Sequence, residues 1–337
     1  MGISFGLWFE PEMVSKGTNI FEKHPEYLVG HPMRKRTHGR NQYVLDFSND
    51  EVVELVFGMM EKILTESEIS YIKWDMNRSI TEAWSMNLPA ERQGEFYHRY
   101  IMGVYKLYEK LIDAFPEVLF ESCASGGGRF DPGMLYYAPQ TWASDDTDAW
   151  ERVKILYGTS VVYPLKTIGT HVSAVPNHQV GRITSLKARN ETAYFGSFGY
   201  EMDITKMSEE EKDQVRKHIL FFKEKRQLIQ HGDLFRLLSP FEGNIASWMV
   251  LSKDQKEGLV YICQALAIPN APQIRIKLKG LNEKSKYQVV GSDHWHYGDE
   301  LMYLGILFNE HYFESADNVQ FVLNHDFRTY LLEIKEI

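Results

Sequence analysis

Tyr71-Ile72-Lys73-Trp74-Asp75 and Gln140-Thr141-Trp142-Ala143-Ser144-Asp145-Asp146 are two short strand-like runs that each end in a carboxylate. Four further strand-like runs also end in polar chemistry. Residues 3–9 lead to Glu10-Pro11-Glu12, and 118–121 to Cys123 and a glycine run; 165–169 lead to His171, and 194–200 to Glu201 and Asp203. Helical patterns lie between them at 49–66, 94–114, 148–158 and 180–191. This alternation is the signature of βα units around a parallel sheet. Polar residues at the C-terminal strand ends are where a (β/α)8 barrel carries its catalysis. Six such units make most of that barrel, and two are missing.

Residues 208–231 read as a long final helix, opened by Ser208 with Glu211 three positions later as a capping box. After Gly232 the texture changes to short alternating strands at 245–251, 258–265, 273–278, 287–290 and 320–323, separated by Gly, Asn, Pro and Lys. That pattern predicts an antiparallel β-sandwich. The expected fold class is therefore α/β: an incomplete (β/α)8 TIM barrel over 1–231, followed by a sandwich over 232–337.

Composition narrows the function. The 337 residues are 44% hydrophobic and 13% aromatic, ample for a large core and an aromatic-lined cleft. A net charge of −9 without any basic stripe argues against nucleic-acid or anionic-membrane partners. The two cysteines, Cys123 and Cys263, have no metal-ligand spacing, which fits a reducing compartment and no zinc site. Neither a signal peptide nor a membrane span is visible. Met1-Gly2-Ile3-Ser4-Phe5-Gly6-Leu7 runs straight into a core-like strand, so the expectation is a truncated N-terminus, where the missing signal says little about location; the cysteine usage makes the expected location cytoplasmic.

Two carboxylates on separate strands are what glycoside hydrolysis requires, because one attacks the anomeric carbon while the other protonates the leaving oxygen. Lys73 and Asp75 share a strand face under the period of two, with Trp74 opposite. An ammonium beside a carboxylate favours the ionised form a nucleophile needs, although the same pair alone reads equally as a solvent-facing edge pair. In Ser144-Asp145-Asp146-Thr147-Asp148, repulsion can raise one pKa toward that of a general acid, while Asp148 is placed to cap the following helix. Charge alone does not choose between Asp145 and Asp146. Asp145 comes first after the strand and is expected nearest the barrel mouth, with Asp146 holding the loop. The Cys123–Gly128 turn matches neither GxxxxGK[ST] nor GxGxxG, so close backbone approach to a neutral ligand is the better reading.

These motifs, together with Phe5-Gly6-Leu7-Trp8-Phe9-Glu10-Pro11-Glu12, Gly39-Arg40-Asn41-Gln42-Tyr43 and His171-Val172-Ser173-Ala174-Val175-Pro176-Asn177-His178, resemble the α-galactosidases of glycoside hydrolase family 36. The resemblance implies a retaining mechanism without metal or organic cofactor, in which Asp75 is the nucleophile and Asp145 the acid/base. It further implies that Trp8 forms a hydrophobic wall, that Arg40 and Lys73 hydrogen-bond galactose hydroxyls, and that Cys123 and Gly126 shape the pocket floor. The substrate it implies is a small galactoside of the melibiose or raffinose type. Retention should set the two carboxyl groups roughly 5–5.5 Å apart. Family members carry a further N-terminal domain and the first two barrel strands, so this chain alone is expected to turn over little. Assembly into a homo-oligomer is an implication for the full-length form only.

Other readings remain open at this level. One is an α-N-acetylgalactosaminidase or a transgalactosylase, discriminated by the bulk around Cys123 and Gly126. Another is a non-catalytic or split-enzyme fragment that needs a partner segment. His171, His178, His294 and His296 lack HExxH spacing and read as structural or surface histidines. Glu10 and Glu12 either support the pocket or satisfy nearby arginines and backbone donors.

Overall fold

In a computed structural model, residues 2–269, 272–308 and 326–337 are described. The chain divides into two compact units, Met1–Asp145 and Asp146–Ile337.

The first unit contains β1 (Phe5–Phe9), β2 (Met13–Ser15), β3 (Gln42–Val44), β4 (Ile69–Asp75), β5 (Leu119–Cys123) and β6 (Gln140–Trp142). Strands β1, β4, β5 and β6 pair in parallel in that order, while β2 and β3 form a small antiparallel pair. Along β4 the pleat sends Ile72 and Trp74 outward into a core built with the helices Asp50–Glu66 and Phe96–Ala114. Those helices offer Val52, Val53, Val56 and Met60, and Tyr100, Val104, Leu107 and Leu111, at helical spacing. Trp74 is fully buried and stacks on Tyr108 at 4.0 Å between ring centroids. Gly103 makes the packing possible, since a Cβ there would lie 1.8 Å from the Phe47 carbonyl oxygen. The opposite face of β4 is left with Tyr71, Lys73 and Asp75.

The first strands of the second unit, after the helix Ala149–Thr159, are β7 (Ile168–Ser173) and β8 (Ser197–Glu201), again parallel. Both strands start later than expected. Leu165–Thr167 is a 3-10 turn, so β7 starts later and takes His171 into its interior. Tyr194 caps the C-terminal end of the helix Leu186–Ala193 and so delays β8, while Ser185 caps its N-terminal end, so that helix starts six residues later than the expected 180–191. The helix Glu209–His231 follows, opened by the predicted Ser208/Glu211 capping box.

Strands β9 (Asp233–Leu238), β10 (Ile245–Leu251), β11 (Glu257–Gln264), β12 (Ile274–Ile276), β13 (Lys286–Val289), β14 (Trp295–Tyr297), β15 (Ile306–Phe308) and β16 (Arg328–Glu336) follow among the described residues. They form an antiparallel sheet in the order β14-β13-β16-β11-β10-β9 and a second pair, β12-β15. Met249, Leu251, Val260 and Ile262 of the large sheet share a core with Ile276, Leu278 and Phe308. The expected strand at 320–323 lies outside the described residues.

The other face of the large sheet is buried as well. Trp248 and Tyr261 stack at 4.4 Å and both meet Phe195 edge-on, and Tyr261 shares a 2.7 Å hydrogen bond with Thr192. Covering both faces explains why β10 reads as a near-continuous apolar run. Among the described residues no helix is long and apolar enough to cross a membrane. Cys123 in the first unit and Cys263 in the second are both buried and unpaired.

Candidate active site

Asp75 closes β4 and is 7% exposed. Its Oδ2 accepts from the Trp8 indole Nε1 at 3.1 Å and from Asn77 Nδ2 at 2.7 Å. Its Oδ1 is buried without a hydrogen-bond partner among the described residues. Asn77 also donates to Glu10, and its own Oδ1 accepts from Ser125 Oγ at 3.2 Å. Glu10 is in turn held by Gln42 Nε2 at 2.7 Å and faces the Arg40 guanidinium at 3.7 Å. Arg40 and Asn41 both adopt left-handed backbone, φ 53° and 62°, in the turn closed by Gly39 and Gln42. Such a turn is costly for a residue with a Cβ, and strain of this kind concentrates at functional positions.

The parallel register sets Lys73 against Glu121 and Asp75 against Cys123. The Lys73 ammonium is therefore shared differently from the expectation built on strand spacing. It pairs with Glu121 at 3.6 Å and sits over the Trp142 ring at 5.0 Å. A residue on the neighbouring strand directly opposite is as close as one two positions along the same strand, and here the cross-strand carboxylate supplies the ion pair. Glu121 is buried and also accepts from the Tyr71 hydroxyl and from Gln140 Nε2. Burial, and then the Asp75 carboxylate beside it, push the Cys123 thiol up to about 12, so it lines the site as a neutral thiol.

Asp145 is exposed, and its Oδ1 accepts from Trp142 Nε1 at 3.0 Å. The glycine run after β5 is pressed against the segment carrying it. A Cβ on Gly126 would lie 2.7 Å from Ser144 Cα and 3.0 Å from the Asp145 nitrogen, and one on Gly127 would lie 2.7 Å from the Ala143 oxygen. Close backbone approach is thus what the glycines allow, and their neighbour is the segment carrying Asp145. Asp146 and Asp148 have other roles. Asp148 caps the helix Ala149–Thr159 through Trp150 and Glu151 nitrogens, and Asp146 Oδ1 accepts from the Asp148 nitrogen at 3.1 Å.

Trp8, Arg40, Lys73, Asp75, Cys123, Gly126 and Asp145 all lie in the first unit, linked by the contacts above. Sequence reasoning passed over Asn77, Glu121 and Arg129, and left Glu10 and Glu12 undecided. Glu12 is completely buried and accepts four hydrogen bonds, from Trp74 Nε1, the Tyr100 hydroxyl and both terminal nitrogens of Arg129. The available signal was the acids and the amide just after β1 and β4, Glu10, Glu12 and Asn77; Glu121 lies inside β5 and Arg129 past the glycine run, where no such signal marks them. Of the histidines, His171 pairs with Glu201 at 2.7 Å and His296 with Glu300 at 2.9 Å. No group of three potential metal ligands occurs among the described residues.

Comparison with known proteins shows the family. A sequence model described as melibiase matches residues 1–232, and one for the glycosyl hydrolase family 36 C-terminal domain matches 245–334. Alpha-galactosidase AgaA of Geobacillus stearothermophilus is 52% identical over 91% of this chain, and alpha-galactosidase Mel36A of Lactobacillus acidophilus is 47% identical over 90%. The chain spans 42% and 41% of those relatives, under half their length. The crystal structure of AgaA superposes on 100% of this chain and 45% of its own, with a TM-score of 0.93 and 48% identity. A variant of AgaA solved in complex with raffinose gives the same TM-score. The fold is accordingly α/β, with strands of an incomplete (β/α)8 barrel followed by an antiparallel β-domain. With the melibiase match running through every residue of the site, the chain belongs to glycoside hydrolase family 36.

Proposed function

We propose that the protein carrying this chain is a retaining α-galactosidase acting on terminal α-galactosyl residues of raffinose- or melibiose-type sugars. The observation that carries this is Asp75. It is a buried carboxylate at the end of β4 with one oxygen fixed by two N–H donors and the other uncommitted, in the same unit as a second, exposed carboxylate at Asp145. In the reaction Asp75 attacks the anomeric carbon as the glycosidic C–O bond breaks, and Asp145 delivers its proton to the departing oxygen. Water then attacks the glycosyl-Asp75 ester, Asp145 takes a proton from it, and galactose leaves with retained configuration. The two carboxyl groups should stand roughly 5–5.5 Å apart when substrate is bound.

Trp8 has two tasks in this reading: its indole orients Asp75 while its ring walls the pocket. Arg40 and Lys73 hold sugar hydroxyls, each backed by a glutamate, Glu10 or Glu121. Cys123 and Gly126 form the floor. The catalytic part is assigned to residues 1–231 and the β-domain to 232–337, in keeping with the two family matches. Free, buried thiols support a cytoplasmic location.

The test is hydrolysis of aryl α-galactosides by the whole protein, with the first-formed anomer identified by proton NMR. Asp75→Ala should reduce turnover by about a thousandfold or more. Asp145→Ala should mainly impair substrates with poor leaving groups and be rescued by azide. An initial β-anomer product, or a fully active Asp75→Ala enzyme, would overturn the assignment.

A further inference from the structure

We propose that the buried Glu12–Arg129 pair is a positioning device that sets the acid/base aspartate relative to the nucleophile. This rests on the roles of Asp75 and Asp145 given above. Glu12 Oε1 accepts from Trp74 Nε1 and an Arg129 terminal nitrogen, both at 2.8 Å; Oε2 accepts from the Tyr100 hydroxyl at 2.7 Å and the other terminal nitrogen at 3.0 Å. A carboxylate with four donors on two oxygens has no freedom left to rotate. Stability alone does not require it, because a buried ion pair is commonly matched or exceeded by apolar residues of the same volume.

The donors identify what is being held. Trp74 immediately precedes Asp75 on β4, so one arm of the cluster fixes the strand end that carries the nucleophile. Arg129 immediately follows the glycine run, so the other arm fixes the loop that abuts Ser144 and Asp145. That loop has no slack: Gly126, Gly127 and Gly128 each lie where even a Cβ would come within 2.7 Å of backbone, at Ser144, Ala143 and Ala124 respectively. A shift of Arg129 is therefore passed to the residues bearing Asp145, while Trp74 keeps Asp75 in place. Glu12 is the common origin of both arms. It touches no reacting atom; it acts through the loop.

A misplaced acid has a kinetic signature that general destabilisation lacks. Proton delivery matters for a sugar leaving group and hardly at all for 2,4-dinitrophenolate, which departs without protonation. In the whole protein, Arg129→Lys retains the charge but loses the two-pronged fork. Rates are divided by the active-site concentration, titrated with a 2-deoxy-2-fluoro galactosyl inactivator, so that loss of folded enzyme cancels.

Arg129→Lys should then lower kcat/KM for raffinose by about ten- to hundredfold, within the range general acid catalysis contributes. Loss on 2,4-dinitrophenyl α-galactoside should stay under about threefold, because no proton need be delivered. Tyr100→Phe removes one of the four donors without stranding a charge; it should show the same skew on a smaller scale and serves if the lysine variant does not fold. Equal losses on the two substrates, or none on either, overturn the positioning role while leaving the α-galactosidase reading intact. Absence of turnover by the wild-type protein on both overturns the two together.

Discussion

Gly126 carries two separate constraints, and they can be measured apart. Its φ of +83° is unfavourable for any residue with a Cβ, and an added Cβ would collide with the backbone that carries Asp145. Gly17 has a similar φ of +85° with nothing within 4 Å of its Cβ position. Gly17→Ala should thus cost only the backbone penalty, about 1 kcal/mol. Gly126→Ala should cost about 1–3 kcal/mol and, on the acid/base role proposed for Asp145, also lower turnover by about tenfold or more, since small displacements of a catalytic group are expensive. Denaturant melts and steady-state rates on the pair check this, and equal behaviour would show that the loop does not press on the acid. At this scale the positions of Asp75 and Asp145, at or just after a strand end, were legible in sequence because each closes a strand-like run. Glu12 and Glu121 were not, because their partners Arg129 and Lys73 are set by strand register and by a loop more than a hundred residues away in one case. Spacing along one strand pointed Lys73 at Asp75, whereas the register gave its ion pair to Glu121.

Elements were readable where the signal is local. Ser208 Oγ accepts from the Glu211 nitrogen at 3.1 Å and Glu211 Oε2 accepts from the Ser208 nitrogen at 2.9 Å, the arrangement the S-x-x-E spacing predicts. Ser208→Ala should cost about 1 kcal/mol and lower the melting temperature of the second unit by about 2–4 °C, read by circular dichroism. No change would mean that the first turn of Glu209–His231 is held by packing instead. Boundaries were lost where apolar residues serve something other than a strand. Leu165 is buried at a 3-10 turn, and Tyr194 and Phe195 pack on Phe222, Trp248 and Tyr261, so the 165–169 and 194–200 runs begin before their strands do. The continuous run in β10 has the same origin, since helices cover the face that an open sandwich would leave to water.

Across the whole chain the parallel-then-antiparallel order was legible, because a change of texture at Gly232 needs no long-range information. The division into compact units near Asp145 was not, since no run of glycine, proline or charge marks it. Both thiols are kept neutral: burial is the main cause in each, and each is pushed up to about 12. At pH 8 the native protein should consequently give almost no fast reaction with Ellman's reagent, and two equivalents in guanidinium chloride. One rapid equivalent in the native state would mean that Cys123 or Cys263 is open to solvent. Because one thiol lies in each unit, timed pulses of alkylating reagent followed by peptide mapping would give each unit its own clock. The chain thus carries two internal reporters of the order in which its halves open, with no label added by design.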